Sequence, residues 1–471
     1  MKNLRKYALT LMLATVASAC YAQKAKELPG IKSNSDSYTY VVNDTDRRSD
    51  WRLSSGTKPA RLEVECKQKV NKVGLITDID SIFFDIKVGE TVRLHILQAG
   101  KEKTLAEIVG VPKNVNFTKK YISEHQGKFS VEVPEVHELA NILVAISRVG
   151  QLDSNMVDMT TPYYKEVMAH FSRYKNHPVM DVVNKHIIEP FDTDSYWYYY
   201  GMKMNACAYV FDKKGNIKNE GVIRKMGFNY PGDPILANLA LIEDFARKSG
   251  FREFYKQHQP YYHELVQLYR SQNPIDQQQE WLEEKFGFKY GNYRVTFSPL
   301  VGGAHSTMSF EDNGFSQTVM FVNRAKLSLK YNAKVNEMSN TRVVFTEIDH
   351  NFVNPVAEKY TKQVNQAFVD RAKWVNDDIS GASAYASPDH VFQEYMTWGL
   401  YSLYCLDKFS AEDNATYIPK MERQMEKSRG FIRFGDFNQK LISLYKENPK
   451  ISIDELFVAM LDWSKNLQAK L

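Results

Sequence analysis

Residues 341–355 read TRVVFTEIDHNFVNP, and no other stretch of the chain carries as much chemical information. The spacing of its apolar positions predicts an amphipathic helix that stops at Pro355, because proline lacks the N–H that the next helical turn needs. Within this helix Thr346 and His350 stand four positions apart, and Glu347 follows Thr346. Residues four apart share one face of a helix, so the segment predicts a polar cluster on one side.

The spacing of this cluster is that of a His-Glu-x-x-His zinc motif with one departure. In the full motif, two imidazoles at i and i+4 hold one zinc, and the intervening glutamate polarises the water bound to it. Here Thr346 takes the place of the first histidine. Glu347 and His350 keep their motif positions, as a candidate general base and a candidate metal ligand. One of the two metal-binding imidazoles of the motif is therefore missing.

A third metal ligand is expected from a later helix, and Glu394 is the best candidate. It lies in the segment DHVFQEYMTW (389–398), far enough along the chain for the backbone to turn back toward His350. A catalytic zinc normally takes three protein ligands beside its water. His350 and Glu394 supply only two of them.

His390 offers a second way to complete a metal site. His390 and Glu394 stand at i and i+4, a spacing that allows both to coordinate one metal in a rearranged site. The ordinary interpretation is that His390 lies near the start of a helix capped by Ser387 or Asp389. His305, which follows two glycines and an alanine, is favoured as an exposed turn residue over a site residue. Sequence alone leaves the two interpretations of His390 open.

The order of patterns along the chain predicts an α+β protein. Residues 23–58 are polar with little periodicity and indicate a flexible leader. Between 59 and 133, short runs such as 61–66 alternate with period two and predict an antiparallel β-sandwich. From 134 to 471 the apolar spacing is mainly helical, with a strand-like island made of residues 293–303 and 318–322. The predicted architecture is therefore an N-terminal antiparallel β-sandwich followed by a mainly α-helical domain with a short β element.

The first 22 residues predict a cleavable secretory signal. Three basic residues precede an apolar run over 7–16, and small residues follow. The run is too short to span a bilayer, and no other long apolar segment follows, so no transmembrane segment is expected. The tetrapeptide ASAC (17–20) also resembles a loose lipobox, which would place a lipid on Cys20. Plain secretion is favoured, because Ala17 stands where a lipobox usually has Leu or Val.

Charge and cysteine content limit the classes of partner and bond. The chain has 61 Lys and Arg against 56 Asp and Glu, and removal of the signal with its three basic residues lowers the formal net charge from +5 to +2. That balance indicates neither a nucleic-acid partner nor an acidic membrane surface. Cys66, Cys207 and Cys405 remain, so at most one disulfide can form within the chain. Cys207 and Cys405 lie in aromatic-rich helical patterns, where buried thiols are favoured.

Several segments follow one another in an order that resembles a known family. They read RYKNHP (173–178), EDFA (243–246), FREFY (251–255), SPLVGG (298–303), HNFVNP (350–355) and RGF (429–431). Over roughly residues 135–471 the chain resembles secreted bacterial proteins of unknown function with a zincin-like domain, related to gluzincin-type metallopeptidases. In that family the helix normally reads HEFxHxFVNP. The segment DIDSIFFD (78–85) also resembles a β-module often attached to such domains.

The resemblance implies an ancestral zinc-dependent peptide hydrolysis. It assigns Glu347 as the general base, His350 as the second zinc ligand and Glu394 as the third. Thr346 breaks the family pattern, so the expected protein is a degenerate pseudo-peptidase with weak or absent activity. Two alternatives stay open: an active metal-dependent hydrolase whose rearranged site recruits His390, and a non-catalytic protein that holds a peptide or a glycan in the old cleft.

Overall fold

The computed structural model describes residues 25–33, 37–52, 60–98, 103–227, 232–379, 382, 385 and 387–470. The chain divides into two compact units, one ending at Asn114 and the other beginning at Val115. The predicted signal and Cys20 lie outside the described residues. Among the described residues, no helix combines the length and the apolar character that a bilayer span requires.

The first unit consists of strands. Their bounds are β1 Lys26–Glu27, β2 Ile31–Ser33, β3 Ser37–Val42, β4 Asp46–Arg52, β5 Ala60–Cys66, β6 Asn71–Ile76, β7 Ser81–Ile86, β8 Thr91–Gln98 and β9 Thr104–Pro112. One sheet has the order β1-β8-β9-β5, with β2 also paired to β8, and the other has the order β4-β3-β6-β7. The prediction of a flexible leader over 23–58 is wrong for its described part, because β1 and β2 pair with β8, and β3 pairs with β4 and β6.

The two sheets of this unit share one hydrophobic core. Val64, Leu94 and Ile108 of the first sheet and Val73 and Leu75 of the second belong to a single buried cluster. The alternating runs predicted this burial, since every second side chain of a strand points to the same face. The β4-β3-β6-β7 sheet is antiparallel throughout, whereas β5 runs parallel to β9 in the other sheet. The expectation of purely antiparallel pairing therefore holds for one sheet.

The second unit is mainly helical. Its helices are α1 Lys119–His125, α2 Glu135–Ala145, α3 Pro162–Phe171, α4 Pro178–His186, α5 Thr193–Ala206, α6 Pro234–Ala237, α7 Leu239–Ser249, α8 Phe251–Gln257, α9 Gln259–Gln272, α10 Ile275–Phe286, α11 Ala333–Lys359, α12 Thr361–Ala367, α13 Pro388–Lys408, α14 Ala411–Ser428, α15 Phe434–Glu447 and α16 Ile453–Lys470. Its strands are β10 Phe129–Glu132, β11 Tyr209–Phe211, β12 Ile217–Asn219, β13 Asn292–Ser298, β14 Ser306–Asp312 and β15 Phe315–Asn323. The mainly helical character of this part of the chain is thereby confirmed.

A four-stranded sheet forms the β element of this unit, in the order β10-β13-β15-β14. The first three strands are parallel, and β14 closes the described edge antiparallel to β15. Strand β10 belongs here, with Val131 opposite Val295. The predicted domain boundary at 133/134 is therefore wrong, because an isolated alternating run does not reveal which distant strand it pairs with.

Helix α11 continues through Pro355, so the predicted helix end at this residue is wrong. The helix runs on to Lys359 with the proline inside it. Proline costs one backbone hydrogen bond and crowds the carbonyl one turn earlier. Val353, Val356 and Ala357 are all buried around it, and the apolar area they remove from water offsets that loss.

The three described cysteines are free and buried. Burial raises the pKa of the Cys207 thiol to about 12, and it also raises the pKa of Cys405 and of Cys66. The expectation of buried thiols at Cys207 and Cys405 is confirmed. These thiols are packing groups of low reactivity, because the thiolate is the reactive form.

A buried carboxyl on α2 makes the stability of the second unit depend on pH. Glu138 is fully buried and accepts a hydrogen bond from the Tyr163 hydroxyl at 2.7 Å, which in turn lies 2.6 Å from the hydroxyl of Tyr262. Burial raises the pKa of Glu138 to about 7, against opposing hydrogen bonds from Ser298 and Tyr163. The folded protein therefore holds a proton that the unfolded chain releases at its ordinary, lower pKa.

We expect the free energy of unfolding to fall as pH rises from about 5 to 7 through this group. For a single proton the slope is at most about 1.4 kcal/mol per pH unit. Glu138→Gln keeps the shape of the neutral acid and removes the titration, so the variant is expected to show a shallower fall than the native protein. Urea unfolding at pH 5, 6 and 7 measures the difference. Parallel curves for the two proteins would contradict a neutral Glu138.

Candidate functional site

The candidate site lies on the half-buried face of α11. The helix starts at Asn332, whose side chain accepts a hydrogen bond from the Val335 N–H at 2.8 Å. Ile348 and Phe352 are fully buried in the core, whereas Glu347 and His350 are half-buried. The helical period thus separates packing residues from candidate functional residues on the same helix.

His350 and Glu394 meet, as the sequence predicted. His350 Nε2 on α11 lies 3.7 Å from Glu394 Oε2 on α13, with the imidazole side chain 34% exposed and the carboxylate side chain 5% exposed. Between His350 and Glu394 the chain contains the end of α11, the short helix α12 and the beginning of α13. A buried carboxylate therefore faces an imidazole that solvent can still reach.

The second oxygen of Glu394 is occupied by two donors that sequence reasoning missed. Oε1 accepts hydrogen bonds from Trp398 Nε1 at 2.9 Å and from the Arg429 guanidinium at 2.6 Å. The pKa of Arg429 is raised overall. Burial acts to lower it, but the charge of Glu394 outweighs that effect, and Tyr385 and Glu347 add to the rise. Arg429 comes from the segment after α14, and no spacing in the sequence links it to Glu394.

Glu347 is held by the edge of the four-stranded sheet. Its carboxylate accepts a hydrogen bond from the Thr307 hydroxyl on β14. One turn further along α11, Asn351 accepts a hydrogen bond from Ser309 of the same strand at 2.6 Å. Strand β14 and helix α11 are thereby joined by two side-chain contacts. The described hydrogen bond of Glu347 goes to β14, whereas His350 pairs with α13.

The Thr346 hydroxyl is hydrogen-bonded to the backbone of its own helix. Its Oγ1 donates to the backbone carbonyl of Arg342 at 3.0 Å, with Val343 O at 3.4 Å. This back-bonding within the helix is common for buried threonine. Neither the chemistry of the hydroxyl nor its direction replaces the missing imidazole.

His390 lies at the start of α13 and not in the cluster around His350. Its side chain is exposed, and its backbone N–H donates to the Ser387 hydroxyl at 3.2 Å. Ser387 is thus the N-cap that the ordinary interpretation of His390 required. Glu394, one turn later, is buried. Within the described ranges, no group of three His, Cys, Asp or Glu side chains has the arrangement of a metal site.

Asp349 is the most deeply buried acid of α11. It is fully inaccessible to solvent, and burial raises its pKa well above the usual range. Thr397 opposes that rise, whereas the charges of Glu394 and Glu347 add to it. Burial therefore favours the neutral form of the Asp349 carboxyl, which is a poorer metal ligand than a carboxylate.

A buried lysine holds the loop that leads into β14. Lys203 on α5 donates to the Ala304 carbonyl, and its ammonium lies 5.1 Å from the ring centre of Tyr199 and 4.8 Å from that of Tyr200. Burial lowers its pKa to about 7, while the charges of Cys207 and Glu347 oppose the shift. No local motif marks Lys203 in the sequence.

His305 follows Ala304 and is half-buried, so the expectation of an exposed turn residue is wrong. Burial lowers the pKa of His305 to about 3, and the nearby Lys203 and Arg342 cations add to that effect. The imidazole is therefore neutral. The side chains of Lys203 and His305 thus lie beside strand β14, which binds Glu347. Neither of them is an acid.

The donors that converge on the site do not complete a zinc centre. They are one imidazole, from His350, and one carboxylate, from Glu394, whose Oε1 is already bound by Arg429. Three protein donors are the usual minimum for a catalytic zinc. Comparison of the chain with protein-family models, with curated proteins and with solved structures finds no match. The geometry defines a polar cluster along α11, in which His350 pairs with Glu394 of α13 and Glu347 and Asn351 bond to the edge strand β14.

Proposed function

We propose that the second unit is a zincin-like domain that binds an extended peptide in a cleft along this cluster without hydrolysing it. The observation that carries the proposal is the meeting of His350 and Glu394 at 3.7 Å from two separate helices, beside a Thr346 whose hydroxyl is bonded within its own helix. On this proposal His350 and Glu394 correspond to two ligands of an ancestral metal centre, and Thr346 stands in place of the third. That combination is the one expected of a retired peptidase.

The edge strand β14 favours a peptide over a glycan as the ligand. An edge strand has backbone N–H and C=O groups that are free to pair with an extended chain. Thr307 and Ser309 of β14 face α11, where they contact Glu347 and Asn351. A peptide that pairs with β14 would therefore run beside His350 and the other side chains of the cleft.

Charge compensation supports a site that works without a metal. In a zinc centre the cation neutralises the ligating carboxylate. Here the Arg429 guanidinium, 2.6 Å from Glu394 Oε1, supplies a positive charge to the same carboxylate. A buried carboxylate without such a partner would be costly. The site is thus electrostatically balanced by residues of the chain itself.

The remaining parts of the proposal concern the first unit and its location. The two sheets with one shared core support a β-sandwich for residues of the first unit. The pattern of residues 1–22 supports secretion, with a lipid on Cys20 as the alternative. A cleft that binds peptides outside the cytoplasm is the function that these elements support together.

The proposal is tested with fluorescently labelled, denatured casein as the peptide source, in the presence of added zinc. We expect the native protein to raise the fluorescence anisotropy of the labelled peptides, and to release no more fragments than Glu347→Gln does. Zinc-dependent cleavage that Glu347→Gln abolishes would overturn the non-catalytic role. No change in anisotropy would overturn the peptide-binding role.

The location of the peptide is tested with a bulky side chain on the edge strand. Ser309 is exposed on β14 and faces α11, so Ser309→Trp is expected to weaken peptide binding at least about tenfold by filling the space between β14 and α11. Ser123→Trp on the exposed face of α1 is the matched control and is expected to bind as the native protein does. Equal affinity of the two variants would show that the peptide lies elsewhere.

A further inference from the structure

A small polar groove lies between α11 and α14. Its lining residues are Ser339, Arg342, Tyr417, Lys420, Met421 and Gln424. Two of them are cations, two carry neutral polar groups of Ser and Gln, and none is an acid. The groove therefore presents hydrogen-bond donors and positive charge from two helices.

Both cations of the groove lack an acidic partner. Within the described part of the chain, neither Arg342 nor Lys420 forms an ion pair, although both side chains are half-buried. By contrast, Arg429 and Arg294 each contact a carboxylate. Partly buried cations are normally paired, so two unpaired ones facing one groove call for an anion from outside the chain.

Aromatic rings hold these cations in place without neutralising them. The Arg342 guanidinium lies 4.4 Å from the ring centre of Trp398, and the Lys420 ammonium lies 4.0 Å from that of Tyr331. Arg342 also lies close enough to Tyr417 to oppose the rise that burial imposes on the pKa of that phenol. Stacking restricts the side chains and leaves their charge available. The groove is thus preorganised for an anion.

We propose that the groove formed by Arg342, Lys420, Ser339 and Gln424 binds a phosphate group, either as free phosphate or as a phosphate monoester. Two positive charges match a phosphate, which carries about −1.5 to −2 at pH 7. Arg donates paired N–H groups to phosphate oxygens, and Lys adds a point charge. The Gln424 amide supplies a further donor to the remaining oxygens, whereas the Ser339 hydroxyl donates to the Val335 carbonyl at 2.9 Å.

The phosphate groove and the site around Glu394 are centred on different residues, and the ring of Trp398, which lies against Arg342 and donates to Glu394 Oε1, connects them. Arg342 precedes His350 by eight residues on α11, which corresponds to about 12 Å along the helix axis. The proposal therefore does not rest on the proposed function. Failure of peptide binding would leave the phosphate site unaffected.

Inorganic phosphate is the probe for the test, titrated at pH 7.5 and followed by isothermal calorimetry, with chloride keeping the ionic strength constant. We expect the native protein to bind phosphate, and Arg342→Gln and Lys420→Gln each to bind it at least about tenfold more weakly. Lys427→Gln is the matched control, because Lys427 is exposed on the same helix and outside the groove. It is expected to bind as the native protein does.

Several results would overturn the assignment. They are absence of phosphate binding by the native protein, an equal loss in Lys427→Gln, and acetate binding as tightly as phosphate. Thermal melts without phosphate verify that the variants are folded. If Arg342→Gln is destabilised by the loss of its packing on Trp398, Lys420→Gln still tests the site. Glycerol phosphate distinguishes a phosphate monoester from free phosphate as the ligand. If glycerol phosphate binds more tightly than inorganic phosphate, the ligand is a monoester, and if it binds more weakly, the ligand is free phosphate.

Discussion

Thr346→His is expected to hold stoichiometric zinc and to bind it more tightly than the native protein does. A histidine at 346 would stand one turn before His350 on the same face of α11. Glu394 Oε2, 3.7 Å from His350 Nε2, is already near the separation of about 3.4 Å between two ligands of a tetrahedral zinc. One side chain then completes a set of three donors.

The expected gain in zinc affinity is at least about 100-fold, because loss of a mere supporting contact to a ligand already costs about 10- to 100-fold. Arg429 on Glu394 Oε1 leaves Oε2 free and fixes the orientation of the carboxylate. Metal analysis after extensive dialysis, followed by competition with a chromogenic chelator, measures the change. Peptidase activity of the variant on labelled casein is a second readout.

Two controls make the result specific to the restored pair of imidazoles. Thr346→Leu removes the hydroxyl without adding a ligand and is expected to bind no more zinc than the native protein. Thr346→His combined with His350→Ala is expected to lose the gain. A histidine at the buried position 346 adds volume that can cost about 1–3 kcal/mol, so thermal melts accompany the metal analysis. A folded Thr346→His variant with negligible zinc would refute the assignment of α11 as the old metal helix.

Loss of the Arg429 guanidinium is the second change with a large expected effect. Arg429→Met leaves Glu394, which is buried, without its cation and should lower the free energy of unfolding by about 2–4 kcal/mol. This value lies below that of a fully buried pair, because the Arg429 side chain is 34% exposed. Urea unfolding at pH 7 measures the loss.

A surface pair provides the control for this prediction. Arg247 contacts Asp244 at 2.7 Å, but its side chain is 72% exposed, so Arg247→Met should cost no more than about 1 kcal/mol. The double variant Arg429→Met, Glu394→Met removes the stranded charge and is expected to be more stable than Arg429→Met alone. Similar losses in Arg429→Met and Arg247→Met would show that Glu394 does not need its cation.

Local patterns in the sequence predicted most of the element types correctly. The alternating run at 61–66 is strand β5, and the helical spacing at 277–286 lies within α10. The strand-like island is present as β13 and β15, but the intervening strand β14 was missed. Only two of its residues, Met308 and Phe310, are apolar, so its alternation is too short to predict a strand.

The candidate site was only partly predictable for a related reason. The i, i+4 relation of Thr346 and His350 follows from helical geometry alone, and the return of Glu394 to His350 was inferred from a motif. Arg429 and Thr307, which bind Glu394 and Glu347, come from segments with no motif of their own. Their roles depend on where their backbones pass in space.

By itself, the sequence determined the periodicity of each segment, the burial of Cys207 and Cys405, and the absence of the first motif histidine, since these depend on neighbouring residues. Tertiary structure decided that β10 joins β13, that α11 passes through Pro355, and that an arginine neutralises Glu394. The physical reason is that backbone periodicity is a local property. Pairing, packing and charge compensation instead depend on residues distant in the chain that only the folded core brings together.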